Sequence, residues 1–169
     1  MEDQKVGGRH TTSKLILKEF QETNYKSFSD GQITISFPNE EDLTHVKVVL
    51  TPTGGPYAGA TVAFTLRLPA SYPNEIATVQ CVSKILHPNI SKTGAVCFNV
   101  FGGNNLLSPA TTTSRGSLSI RFGHGVHTAE WDSCMRLVDY AHALLWLLYQ
   151  PNLDSRLNSE CPHNRHEFE

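Results

Sequence analysis

Hydrophobic and polar positions change their period along the chain, and the changes mark its elements. Leu15, Ile16 and Phe20 fall at helical spacing and Ser13 stands where a cap would. A helix is therefore predicted over Lys14–Glu22, with Lys14 and Lys18 on its polar face. Residues 1–12 before it are polar and contain glycine, which predicts a mobile tail. The period then drops to two. Ile33, Ile35 and Phe37 alternate with polar residues, as do Val46, Val48 and Leu50, and then Val62, Phe64, Leu66 and Leu68. Turn residues bound these runs: Pro38-Asn39, Gly54-Gly55-Pro56 and Pro69. With Thr78–Val82 as a fourth, they predict an antiparallel meander of short strands.

The second half reads differently. From Gly102 to about Glu130 the chain is rich in Gly, Ser and Thr and poor in large apolar side chains, so it can bury little. It is predicted as a long inserted loop over 102–130, most of it mobile. Within it, Ser117-Leu118-Ser119-Ile120-Arg121-Phe122 alternates as a strand does. Helical spacing returns over Asp132–Tyr149, with a stripe of Met135, Val138, Ala141 or Leu145, and Leu148, and Trp146 beside it. Pro151-Asn152 ends that helix, and Leu157–Glu169 reads as a short polar one. Together these elements predict an α+β fold in one domain over 13–169: an N-terminal helix, a four-stranded antiparallel meander, then C-terminal helices.

Composition narrows the function classes. A length of 169 residues suits one core, and a net charge of -2 leaves no electrostatic footprint for nucleic acid or an anionic membrane. No apolar run approaches the ~20 residues of a membrane helix. Met1-Glu2-Asp3-Gln4 lacks a signal-peptide pattern. Cys81, Cys97, Cys134 and Cys161 form no CxxC pair, which fits a reducing compartment, cytoplasmic or nuclear, rather than a disulfide framework. His124 and His127 with Cys134 have zinc-like spacing but no evident fourth ligand, so they read as solvated loop residues and no metal is expected.

The chemistry concentrates in His87-Pro88-Asn89-Ile90 followed by Gly94-Ala95-Val96-Cys97. Pro88 argues against a helix and places Cys97 on an irregular, partly exposed segment. A thiol of pKa about 8.5 is a few per cent ionised at neutral pH, and Lys92 is the one cation close in sequence, so activation is modest. The Asn89 amide can donate to a developing oxyanion, a role worth about 10²–10³ in rate. Taken alone, the residues equally allow Cys97 as an ordinary loop cysteine and Asn89 as a turn residue.

The string His87-Pro88-Asn89, with a cysteine ten residues after the histidine, resembles the active-site signature of ubiquitin-conjugating enzymes. Pro52-Thr53-Gly54-Gly55-Pro56-Tyr57-Ala58-Gly59, Ser71-Tyr72-Pro73, Trp131, Pro151-Asn152 and Leu157-Asn158 extend the resemblance across Ser13–Glu169. It implies that Cys97 accepts a modifier's C-terminal carbonyl from an activating enzyme by transthiolation and passes it to a substrate lysine or a ligase cysteine. No cofactor is implied, since ATP is used by the activating enzyme. Asn89 would stabilise either the oxyanion or the loop that holds the site. His87, beside Pro88, would be a structural hydrogen-bonder rather than a general base. The family's gate position falls on Ser155, which would help orient and desolvate a lysine whose ordinary pKa is about 10.4. The implied partners are the modifier, an activating enzyme meeting Lys14 and Lys18 on the first helix, and a ligase, with the RING type among them. The chain itself would be a monomer.

Ile35-Ser36-Phe37, Asp42-Leu43, Lys47-Val48-Val49-Leu50-Thr51-Pro52, Val79-Gln80-Cys81 and Asn164-Arg165 resemble the neddylation-type conjugating enzymes, as do Lys14-Leu15 and Lys18-Glu19. Ubiquitin carriers usually have a tryptophan at the position of His45. The alternatives are a ubiquitin-carrying enzyme and a non-catalytic binding variant of the same fold. Several positions depart from the family. Ile76-Ala77 replaces its paired prolines, which is expected to loosen that turn, and Ser133 replaces another proline. Trp131 follows Cys97 by thirty-four residues rather than about a dozen. Met1–His10 is polar where the neddylation class has an apolar docking extension, and the chain ends before the family's usual last helix.

Overall fold

The computed structural model describes residues 3–22, 29–96, 117–120, 127–130, 136–153 and 156–162. Four strands form one antiparallel sheet in chain order: β1 Ile33–Ser36, β2 His45–Leu50, β3 Val62–Arg67 and β4 Thr78–Cys81. The alternation in the sequence becomes the two faces of this sheet, because successive side chains point to opposite sides. Ile33, Ile35, Val46, Val48, Leu50, Val62, Phe64, Leu66, Val79 and Cys81 are buried on the inner face. Val48 lies opposite Ile35 on one side and Phe64 on the other, so the apolar rows align across the strands. Phe37 falls just past β1 and meets Phe20 edge-on, with ring centroids 5.1 Å apart.

Helix α1 spans Asp3–Glu22, beginning well before the predicted Lys14. Residues 3–12, predicted as a tail, continue the helical backbone, and Ser13 lies inside the helix rather than capping it. No proline interrupts Asp3–Thr12, so the helix can run back through Gly7-Gly8 although each glycine costs it about 1 kcal/mol. The Thr12 hydroxyl also ties it down by donating to the Ala70 carbonyl at 2.7 Å. Ile16 is fully buried, while Lys14, Leu17 and Lys18 face solvent.

Helix α2 spans Leu137–Tyr149, preceded by Arg136 in an extended conformation. It therefore starts later than the predicted Asp132. Its buried face is Leu137, Tyr140, Ala141, Ala143, Leu144, Leu147 and Leu148, while Val138, Leu145 and Trp146 sit half-buried at the flanks. The predicted stripe was rotated because this helix is apolar on nearly every side. Packing against the sheet, not periodicity, then selects the inward face.

One prediction for the remainder gains detail and one is corrected. Within 102–130 the strand-like alternation starting at Ser117 is realised as β5 Ser117–Ile120, paired antiparallel with β6 His127–Glu130. Residues 156–162 form no helix. The Leu157 and Asn158 N–H groups donate to the Pro88 carbonyl, and Pro162 has no N–H to give to a helical turn beginning at Asn158. One C-terminal helix, α2, stands among the described residues; 163–169 lie outside them.

Candidate active site

Beyond β4 the chain crosses the end of α2 as His87-Pro88-Asn89-Ile90, all four buried. Each of the first three is held by a different later segment. The ring of His87 is fully buried and stacks on Tyr57, with centroids 5.0 Å apart. Its Nδ1 accepts the Asn89 N–H at 3.0 Å, which leaves Nε2 as the donor to the Leu147 carbonyl at 3.1 Å. Burial pushes its pKa down to about 4, against a smaller opposing effect of the Leu147 carbonyl, so the ring is neutral near pH 7. Both nitrogens are engaged on backbone groups. This histidine builds the loop.

The Asn89 side chain is also fully buried. Its Nδ2 donates to the Asn152 carbonyl at 2.7 Å, and its Oδ1 accepts the Asn152 N–H at 2.8 Å. The amide thus pairs with one residue in both directions, as neighbouring strands pair, and fastens the segment just past α2. The Pro88 carbonyl accepts two N–H groups, Leu157 at 2.7 Å and Asn158 at 3.1 Å.

After Ile90 the chain reverses and returns alongside β4. The Gly94 carbonyl accepts the Cys81 N–H at 2.8 Å, and bridges join Gln80 to Ala95 and Ile90 to Val96. Gly94 has φ +84, and a Cβ there would collide with the Cys81 carbonyl, so both backbone conformation and space require glycine. The next residue but two is Cys97, which lies outside the described residues. Trp131, Ser133, Cys134, Ser155 and His124 also lie outside them, and only the backbone of His127 is described, in β6.

The charged candidates are on the surface. Lys92 sits 2.6 Å from Glu160, with both side chains more than half exposed, and Lys18 sits 3.8 Å from Glu22 one turn on. Lys14 is exposed on the same helix. Cys81 and Cys161 are buried free thiols whose pKa values are pushed up by burial, which makes them poor nucleophiles.

Several supports were not foreseen. The Tyr57 hydroxyl donates to the Leu86 carbonyl at 2.6 Å, just before His87. Tyr149 at the end of α2 donates to Gln32 Oε1 at 2.6 Å and lies 2.9 Å from the Thr53 hydroxyl, pinning the Pro52–Gly59 turn. Gly55 in that turn has φ +75, and a Cβ there would press on the Tyr149 backbone. A tyrosine with an apolar body and a polar tip, set in a Gly- and Pro-rich turn, is the signal that could have drawn attention to Tyr57. The turn expected to loosen at Ile76-Ala77 is instead stitched in place. Ala77, unlike proline, carries an N–H, and it donates to the buried Tyr140 hydroxyl at 3.0 Å. The Tyr72–Pro73 peptide in the same turn is cis.

A model of the ubiquitin-conjugating enzyme family matches residues 15–168. The chain belongs to that family. It is similar to the Nedd8-conjugating enzyme UbcE2M of Drosophila melanogaster, 26% identical over 137 residues, which is 79% of this chain and 61% of the relative. Ubiquitin-conjugating enzyme E2 S of Dictyostelium discoideum is 39% identical over 87 residues, 51% of this chain and 39% of the relative. The chain therefore spans about three-fifths or less of the length of these relatives. Among solved structures, S. cerevisiae Ubc12 superposes with a TM-score of 0.64 at 21% identity, covering 90% of this chain and 70% of that one, which shows the shared fold. Among the described residues no helix is long and apolar enough to cross a membrane, and no cluster of His, Cys, Asp and Glu could hold a metal.

Proposed function

We propose that the chain is a neddylation-type conjugating enzyme that carries its modifier as a thioester on Cys97. The family match over residues 15–168 carries the conjugating part of this reading, and the similarity to the Drosophila Nedd8-conjugating enzyme supports the modifier. It is supported by a buried His87-Pro88-Asn89 frame from which the chain runs back along β4 toward Cys97. The Cys97 thiolate attacks the modifier's C-terminal carbonyl and expels the activating enzyme's thiolate, so one thioester replaces another. A neutral lysine amine then attacks that carbonyl, Cys97 leaves as thiolate, and an isopeptide bond forms as the amine loses its proton. Cys81 and Cys161, buried and with raised pKa values, are unsuited to either step.

Asn89 acts in this reading by holding the Asn152 segment, and His87 and Pro88 by fixing the strand-like approach to the cysteine. Ser155 occupies the gate where the incoming lysine is oriented. Lys14 and Lys18, both exposed on α1, meet the activating enzyme, which is also the component that uses ATP. A ligase, of the RING type, completes the set, and the enzyme acts as a monomer in the cytoplasm or nucleus. The second reading, a ubiquitin carrier, draws on the similarity to the Dictyostelium enzyme.

The test is a charging assay with ATP, an activating enzyme and one modifier at a time. A reductant-sensitive adduct with the neddylation modifier, absent in Cys97→Ala, is the expected result. Charging with ubiquitin alone would select the second reading. Undiminished charging of Cys97→Ala would remove Cys97 from the mechanism and turn attention to Cys134. No adduct with any modifier would make the chain a binding variant of the fold.

A further inference from the structure

Between Ile90 and Val96 the chain makes a tight reversal whose bonds converge on one side chain. The Ser91 N–H donates to the Ala95 carbonyl at 2.9 Å, and the Ser91 hydroxyl accepts the Ala95 N–H at 3.0 Å. One serine therefore holds both peptide groups of Ala95. The same hydroxyl lies 2.9 Å from that of Thr93, and the Ser91 carbonyl accepts the Gly94 N–H at 2.9 Å. On its other side the turn is clipped to the last strand of the sheet, through Cys81 N–H to the Gly94 carbonyl at 2.8 Å and Gln80 Nε2 to the Thr93 carbonyl at 3.3 Å.

Resting on the assignment of Cys97 as acceptor, we infer that Ser91 is a positioning residue that sets the location of Cys97 through the main chain of Ala95. Cys97 follows Ala95 by two residues, so only two peptide links join them. A shift of Ala95 is passed to the nucleophile with little chain left to absorb it, and misplacement by about 1 Å can cost 10²-fold in rate. The residues that hold the other side of the site, His87 and Asn89, are fully buried and build the fold. Ser91 differs: its hydroxyl bonds lie at the surface, where water can replace them. Removing the hydroxyl therefore loosens the approach to the cysteine without breaking the core.

A purely turn-forming serine would leave Cys97 unaffected once the protein is folded, and this difference can be measured. The full chain is compared with Ser91→Ala and Ser91→Thr in two ways. Site-resolved mass spectrometry follows alkylation of Cys97 by iodoacetamide, with buried Cys81 and Cys161 as internal references. Single-turnover discharge of the charged enzyme to free lysine is followed over a range of lysine concentrations. Ser91→Ala is expected to melt within a few degrees of the parent. Its discharge rate at saturating lysine should fall about tenfold with the half-saturating concentration unchanged. Alkylation at Cys97 should change several-fold relative to the two references, and Ser91→Thr should restore both readouts. Parent-like discharge and alkylation of Ser91→Ala would overturn the inference, as would failure of the threonine to restore them. A chain that accepts no modifier refutes the conjugating reading alone, and the alkylation ratio then decides the role of Ser91 by itself.

Discussion

The carboxylate of Glu19 on α1 accepts the backbone N–H of Leu137, the first residue of α2, at 3.2 Å. The same oxygen accepts the Tyr72 hydroxyl at 2.9 Å, and Glu19 is 5% exposed. A carboxylate from a distant helix thus caps α2 where its dipole favours negative charge. Asp139 closes the adjacent position by accepting the Arg136 N–H at 2.8 Å.

Removing that cap should cost more than neutralising it. Glu19→Ala leaves two buried donors without their acceptor and is expected to lose about 2–4 kcal/mol. Glu19→Gln keeps an acceptor and loses the charge, for about 1 kcal/mol. Urea unfolding of the two variants gives the comparison. Equal losses would mean that the charge, and not the hydrogen bonding, carries the effect.

Tyr140→Phe is expected to destabilise by about 1–3 kcal/mol while leaving the ring's packing intact, because the buried Ala77 N–H loses its acceptor. Thermal melts will show it. A neutral substitution would mean that the turn finds another acceptor for that N–H.

His87 makes folding sensitive to acid. The unfolded imidazole takes a proton near pH 6.5, whereas the buried ring resists until about 4. Between those values the unfolded chain binds more protons, so the contribution is complete above pH 6.5 and is lost as the pH falls. The loss reaches about 3 kcal/mol near pH 4. His87→Gln, which can still donate to the Leu147 carbonyl, should show a flatter decline of stability over that window. Parallel slopes for parent and variant would contradict the assignment.

For Asn89 the geometry sets the order of effects. Asn89→Ala breaks both bonds to Asn152, so the melting temperature should drop, and charging and discharge should weaken together. A variant that melts as the parent does, yet discharges about 10²-fold more slowly, would restore the oxyanion role.

The meander was legible because its signal is local. Val46, Val48 and Leu50, or Val62, Phe64 and Leu66, need only a period of two and a solvent-facing side to declare their strands. The His87-Pro88-Asn89 string was equally visible as a pattern. What hid from the sequence depends on partners far along the chain. Nothing near Glu19 says that it caps a helix beginning at Leu137, and nothing near Ala77 says that Tyr140 waits for its N–H. The inward face of α2 was misjudged for the same reason, since Leu144 and Leu145 are alike until the sheet selects one. Leu157 and Asn158 bond to the Pro88 carbonyl, a partner equally far along the chain.

The connectivity of the sheet bears on the order in which the molecule comes together. Each strand pairs with its neighbour in sequence, so β1 to β4 can form as successive hairpins with short closures. The residues framing the approach to Cys97 cannot follow that schedule. His87 must await Leu147, Asn89 must await Asn152, and Pro88 must await Leu157. All three arrive only after the chain has passed through the entire stretch from Cys97 to Arg136 and laid α2 across the sheet. The sheet is thus expected to be native before the site is, with folding φ-values high at Val48 and Phe64 and low at Asn89. A growing chain released with its first hundred residues would lack every one of these partners: the frame that leads to Cys97 is the last thing this molecule finishes.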